Sequence, residues 1–67
     1  MSVARVTEIT ASSTRSFEDA LQEGVARAVK TLKNVEGGWV QEQTVEIRDG
    51  RISEYRVNMK VTFVLEG

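Results

Sequence analysis

The sequence predicts a small α+β protein with the element order β-α-β-β, in which one helix packs on one face of a three-stranded antiparallel sheet. Two patterns indicate this fold. Apolar residues recur at helical spacing over residues 17–32, and from Trp39 onward they alternate with polar residues on both sides of Asp49-Gly50. A β-branched segment ahead of the helix supplies the remaining strand.

The first strand is predicted over Val3–Thr10, which is rich in β-branched residues. The small polar residues 11–16 then form a break that contains helix-starting chemistry. Ser13 or Ser16 can accept a hydrogen bond from an amide of the first turn, and Ser16 with Asp19 resembles a capping box.

The helix is the clearest element of the sequence. Its apolar stripe follows a 3.6-residue period and consists of Phe17, Ala20, Leu21, Gly24, Val25, Ala28, Val29 and Leu32. Acidic residues in the first turns and lysines near the end suit the helix dipole. Asn34 and the pair Gly37-Gly38 interrupt the helical pattern and are interpreted as the helix exit.

Asp49-Gly50 predicts a hairpin with a two-residue type I′ turn, so that the numbers of paired residues add up to 99. This register pairs Arg48 with Arg51, Ile47 with Ile52, Thr44 with Tyr55, Gln43 with Arg56, Gln41 with Asn58 and Trp39 with Lys60. The last strand, Ile52–Leu65, has fourteen residues, or roughly 46 Å at about 3.3 Å per residue. We therefore place it in the middle of the sheet.

Opposed residues share a face, and the hairpin accordingly has two different faces. The face predicted to lie under the helix carries Val40, Tyr55, Val57, Met59, Val61, Phe63 and Leu65. The other face carries Trp39, Gln41, Gln43, Arg56, Asn58 and Lys60.

Chain length predicts one domain over residues 1–67 that needs partners. Folding buries only about 60% of the surface of a chain of this size. Disulfides, metals and oligomerisation are the usual remedies, and this sequence contains neither cysteine nor histidine. Self-association is the remedy left.

Composition also argues against several functions. Nine basic and ten acidic residues are interleaved, so no basic stripe for nucleic acid is present. No apolar run has the length of a membrane span or signal-peptide core, and we expect a cytoplasmic protein. Without histidine, cysteine or a phosphate-binding loop, an enzyme is not expected.

The face that carries Trp39 has two interpretations. Trp39 supplies a stacking surface, Gln41 and Gln43 present donors and acceptors together, and Arg56 presents a fork of donors, which suits a flat heteroaromatic ligand with polar edges. Alternatively, the face is solvated and Trp39 anchors a contact between subunits. Carboxylates such as Glu8, Glu42 or Glu66 offer a further option, divalent-cation binding at a symmetry axis, but no loop has calcium-ligand spacing, and we predict no metal site.

Several segments, taken in order, carry a family resemblance. They are Val6–Ile9, Ser12-Ser13, Val25–Ala28, Lys30–Leu32, Glu54–Val57 and Val61–Glu66. The whole chain resembles the dodecins, small flavin-binding proteins of bacteria and archaea. The resemblance implies a β-α-β-β protomer, a hollow shell of twelve protomers, and riboflavin or FMN bound in pairs between protomers. It also implies flavin sequestration, storage or buffering in place of catalysis.

The family's flavin site maps onto this chain with two departures. In dodecins the flavin rings stack on an aromatic residue at the start of the second strand, and a glutamine of the last strand binds the polar ring edge. Here Gly37 occupies the position of the stacking tryptophan, Trp39 lies two residues later, and Arg56 occupies the position of the glutamine. Arginine donates hydrogen bonds but accepts none, so Gln41, Gln43 or Asn58 would supply the acceptor.

Two further positions concern the flavin phosphate, which meets arginines in some dodecins. Thr44 and Val64 stand at these positions and are neutral. The resemblance thus predicts a flavin-binding dodecamer with ligand contacts from Trp39, Arg56 and the residues Gln41, Gln43 and Gly37. The alternative is a dodecin-like shell that has lost flavin binding and has a structural, interaction or metal-binding role.

Overall fold

A computed structural model of the chain describes residues 2–65. It contains β1 (Val3–Ser13), α1 (Phe17–Thr31), β2 (Val35–Arg48) and β3 (Arg51–Leu65). The strand order is β1-β3-β2, and both pairings are antiparallel. The predicted element order and the central position of the long last strand are confirmed.

Two predicted boundaries are wrong because strand pairing extends further than the local sequence indicates. β1 continues to Ser13, which pairs with Tyr55 of β3, so part of the predicted polar break belongs to the strand. β2 begins at Val35, and Gly37-Gly38 lie inside it as strand residues. The chain leaves the helix earlier, and Asn34 adopts φ 59° just before β2.

The helix start follows the predicted capping chemistry. Ser16 is the N-cap, and its Oγ accepts a hydrogen bond from the amide of Asp19 at 3.0 Å. The Asp19 carboxylate accepts a hydrogen bond from Ser13 Oγ at 2.7 Å, and the same Oγ accepts one from the amide of Arg15 at 2.9 Å. Ser13 and Ser16 thus join the end of β1 to the first turn of α1.

The core lies between α1 and the helix-side face of β1 and β3. The buried apolar side chains described are Ala20, Ala28, Val57, Met59 and Val61. Small residues bring the helix close to the sheet: a Cβ placed on Gly24 would lie 3.3 Å from the Met59 sulfur. At the helix start, Phe17 packs edge-on against Tyr55 with ring centroids 5.1 Å apart. The predicted helix-side face of β3 is confirmed for Tyr55, Val57, Met59 and Val61, whereas Leu65 is 46% exposed.

The predicted type I′ turn is confirmed, since Asp49 and Gly50 have φ values of 54° and 75°. Pairing next to the turn follows the predicted register. Two bulges then shift the central part of the hairpin by one residue, with Ser53 as the extra residue of β3 and Gln41 as the extra residue of β2. Beyond the second bulge, Trp39 again pairs with Lys60 as predicted.

The predicted pairs Thr44–Tyr55, Gln43–Arg56 and Gln41–Asn58 are therefore wrong. The observed partners are Val45 with Tyr55, Thr44 with Arg56, Gln43 with Val57 and Glu42 with Asn58. Because paired residues share a face, Gln43 lies on the helix side of the sheet with Val57. This corrects the prediction that Gln43 shares a face with Trp39 and Arg56.

The helix packs mainly on β1 and β3 and makes few contacts with β2. An open groove of about 520 Å³ therefore lies between α1 and β2. Its lining includes Leu21, Val25, Val29 and Val40, and Trp39 lies at its rim. In the part of the chain from 2 to 65, no helix combines the length and apolar character needed to cross a membrane.

Candidate ligand-binding face

The sheet has one face that the helix does not cover, which we call the outer face. Its central residues on β3 are Arg56, Asn58 and Lys60, the alternate positions to the buried Val57 and Met59. The register brings β2 and β1 residues beside each of them in rows: Trp39–Lys60–Glu8, Glu42–Asn58–Thr10 and Thr44–Arg56–Ser12. These three rows place an aromatic ring, neutral polar groups and charges next to one another.

Trp39 lies on the edge strand β2 and is 50% exposed. The preceding residue, Gly38, has no room for a side chain, since a Cβ there would lie 2.4 Å from the Lys60 carbonyl oxygen. The space beside Gly37 is empty, because a Cβ at that residue would meet no atom within 4 Å. The half-exposed indole therefore offers a ring surface to a ligand or to another subunit.

Neutral polar side chains of β2, β3 and β1 are joined by hydrogen bonds on the outer face, next to the row that contains Trp39. Gln41 Nε2 donates a hydrogen bond to Asn58 Oδ1 at 3.1 Å, and Asn58 Nδ2 donates one to Thr10 Oγ1 at 3.1 Å. We call these three residues the amide ladder. Each amide uses only part of its hydrogen-bonding capacity, so the ladder retains both donors and acceptors for a further partner.

Arg56 is held by two carboxylates towards the hairpin end of the outer face. Its Nη2 donates to Glu54 Oε1 at 2.8 Å and also to Glu46 Oε2. Glu46 and Glu54 are directly paired in the sheet, where two like charges repel. The hydrogen bonds that Arg56 donates to Glu46 and, second, to Glu54 raise the pKa of Arg56 above its ordinary value. The guanidinium therefore stays charged and offsets the repulsion between the two carboxylates.

The structure thus brings together only some of the predicted site residues. Trp39 lies on the outer face, and Gln41, the extra residue of the second bulge, is joined to that face by its hydrogen bond to Asn58. Gly37 leaves open space near Trp39. Arg56 shares the face but is engaged by carboxylates, and Gln43 points to the other side of the sheet.

Sequence analysis missed Thr10 as a neighbour of Asn58. No tight turn connects β1 to β3, so the sequence contains no signal for their register. The predicted register also did not pair Glu46 with Glu54, although both are charged residues close to the Asp49-Gly50 turn in the sequence.

Carboxylates do not gather into a metal site within residues 2–65, where no group of three Asp, Glu, His or Cys side chains could hold an ion. Glu8 is opposite Lys60 on β1, whereas Glu42 is opposite Asn58 on β2. Glu66 lies outside the residues that the structure describes.

Comparison with known proteins decides the family. The family model for dodecin matches residues 3–66. The chain belongs to the dodecin family. Among curated protein sequences, none matches this chain.

Solved dodecins share its architecture closely. Dodecin from Streptomyces davaonensis is 35% identical, with 98% of this chain and 97% of that chain covered and a TM-score of 0.92. Dodecin from Streptomyces coelicolor is 30% identical, with 98% and 94% covered and a TM-score of 0.93. A calcium dodecin from Mycobacterium tuberculosis, described with a novel calcium-binding site, is 31% identical. The match covers 96% of this chain and 91% of that chain, with a TM-score of 0.82. The predicted family and the β-α-β-β dodecin fold are both confirmed.

Proposed function

We propose that this chain forms a dodecameric shell that binds flavin, riboflavin or FMN, or a related flat heteroaromatic, at interfaces between protomers. The role is sequestration, storage or buffering of the ligand in the cytoplasm, without catalysis. The observation that supports this most is the position of the half-exposed Trp39 ring next to the amide ladder. Dodecins in general are non-catalytic binding proteins that assemble as dodecamers.

Exposed apolar residues support the assembly part of the proposal. Val25 and Val29 border the groove beside β2 and are 40% and 53% exposed. Val45, Ile47 and Ile52 are also exposed, near the hairpin turn. A protomer of 67 residues buries only a modest share of its apolar surface when it folds alone. Covering the exposed apolar residues with further copies of the chain removes more of that surface from water. We therefore expect self-association to stabilise the protomer fold.

The residues of the outer face suit the isoalloxazine ring in two respects. An indole offers a flat surface for stacking. The ring's pyrimidine edge alternates carbonyl acceptors with an imide donor, and the side-chain amide of Gln41 can both donate and accept. Gln43 has less support, since it lies on the helix side. The neutral residues Thr44 and Val64 provide no charge for a phosphate, so we expect riboflavin to bind at least as well as FMN.

A titration with riboflavin, combined with native mass spectrometry, tests the proposal. We expect a mass of twelve chains with increments that match riboflavin, and quenching of both riboflavin fluorescence and Trp39 emission. The Trp39→Ala shell should stay intact and lose affinity, whereas Thr62→Val, on the same face opposite Gly37, should bind as the original chain does. Unquenched riboflavin and twelve chains without added mass would contradict flavin binding.

A second function, a shell without flavin, is favoured by two observations. Gly37 stands where the family resemblance places the stacking tryptophan, and Arg56 is engaged by Glu46 and Glu54. In that case Trp39 anchors assembly, so that Trp39→Ala dissociates the shell and riboflavin has no effect on any variant. Because one solved relative is a calcium dodecin, the same mass spectra should be recorded with calcium, where bound-ion increments would indicate a metal-binding role.

A further inference from the structure

We infer that the polar edge of a ligand stacked on Trp39 is recognised by the amide ladder, with Asn58 at its centre, and not by Arg56. The inference rests on the proposed function and specifies its ligand class. That class is a flat heteroaromatic whose uncharged edge carries a hydrogen-bond donor next to an acceptor, as in an imide or a lactam.

Position on the sheet favours Asn58 over Arg56. Trp39 is paired with Lys60, and Asn58 follows two residues along β3 on the same face. Such diagonal neighbours lie about 7–8 Å apart, within reach of one ring system. Arg56 lies four residues from Lys60, about 13 Å along the strand. A ligand stacked on Trp39 and extended across the sheet of the same protomer therefore meets Asn58 before that protomer's Arg56.

Hydrogen bonding within the ladder fixes the orientation of its groups. Asn58 donates one N–H to Thr10 and accepts one bond from Gln41. It retains a second N–H and a second acceptor position, and Gln41 retains its Oε1 and a second N–H. A ligand edge can therefore use donors and acceptors whose orientation is already set, which reduces the entropy lost on binding.

The surroundings of Arg56 explain why it is unsuited to this role. Its Nη2 contacts both Glu46 and Glu54. These contacts hold the guanidinium at the hairpin end of the outer face, so its remaining N–H groups, on Nη1 and Nε, can donate only to a ligand that reaches this end. Arg56 also cannot accept a hydrogen bond from an imide N–H.

The test compares riboflavin with riboflavin methylated on its imide nitrogen, a probe that has lost the edge donor. The original chain should bind riboflavin about tenfold more tightly than the methylated probe, as expected for one hydrogen bond. In Asn58→Leu, riboflavin affinity should fall about tenfold and the preference between the two probes should disappear. Asn58→Ser serves as a second, smaller substitution, and Thr62→Val serves as the matched control on the same strand and face.

The outcomes separate this inference from the function on which it rests. Native mass spectrometry of each variant shows whether twelve chains still assemble. Riboflavin binding that depends on Trp39 but is unchanged in both Asn58 variants would overturn the inference and leave the proposed function standing. Failure of the original chain to bind either probe would overturn both.

Discussion

Replacement of Gly38 by alanine tests whether the close approach of β2 to the backbone of β3 requires glycine. The added Cβ would lie 2.4 Å from the Lys60 carbonyl oxygen and 3.3 Å from the Val61 Cα. Carbon–oxygen contacts in sheets are normally about 3.3–3.6 Å, so β2 and β3 would have to separate by about 1 Å. Both atoms in the way belong to the backbone, and no side-chain rotation can relieve the clash.

Overpacking of this kind costs about 1–3 kcal/mol, and the loss of chain entropy in the unfolded state offsets about 0.4–1 kcal/mol of that. We therefore expect Gly38→Ala to destabilise the fold by about 1–2 kcal/mol. For a domain of this size that lowers Tm by roughly 4–16 °C. Thermal and urea unfolding followed by Trp39 emission measure the effect, at one fixed protomer concentration because assembly contributes to stability.

The adjacent glycine supplies the control. Gly37 has open space at its Cβ position, and its φ lies outside the left-handed region. Gly37→Ala should therefore be neutral or stabilising by up to about 1 kcal/mol. Equal stability of the two variants would refute the argument that the approach of β2 to the Lys60 carbonyl requires glycine at position 38.

Three further substitutions test other parts of the fold. Arg56→Met should lower Tm because Glu46 and Glu54 then face each other without a positive charge between them. Adding Glu46→Gln to this variant should restore much of the lost Tm, and the loss caused by Arg56→Met should shrink at high salt. An unchanged Tm in Arg56→Met would contradict the stabilising role of the contacts between Arg56 and the two carboxylates. Ser16→Ala should cost about 1 kcal/mol in chemical denaturation because the helix loses its N-cap acceptor; an unchanged midpoint would refute that role. Gly50→Ala, at φ 75°, should cost about 1–2 kcal/mol by the same measurement, and an unaffected hairpin would contradict the type I′ assignment.

The parts of the fold that sequence analysis predicted correctly are those specified by local signals. The helix follows from a 3.6-residue stripe, and the hairpin turn follows from Asp49-Gly50, a pair that tolerates positive φ at both positions. The bulges at Gln41 and Ser53 have no such signal. They are extra residues accommodated where two long strands pair and twist, and nothing in the local sequence indicates which residue is left unpaired.

The same physics explains why the candidate site was predicted only in part. A shift of one residue moves a side chain to the opposite face, so Gln43, between the two bulges, left the face on which alternation had placed it. Trp39 kept its predicted position because the second bulge compensates for the first. The position of Thr10 beside Asn58 depends on the register between β1 and β3. That register is determined by packing of the intervening helix on the sheet, because no short turn joins the two strands.

The distribution of charge on the outer face bears on the choice between a flat ligand and a cation. Calcium takes six to eight oxygen ligands, yet the paired carboxylates Glu46 and Glu54 already enclose the positive charge of Arg56. A calcium ion there would have to displace the guanidinium, and no group of three Asp, Glu, His or Cys side chains that could hold an ion occurs between residues 2 and 65. Calcium there would therefore have to compete with Arg56 for the Glu46 and Glu54 carboxylates. The neutral amides beside Trp39 hold no counter-charge that a ligand would have to displace, which supports the proposal that the outer face binds an uncharged, flat ligand.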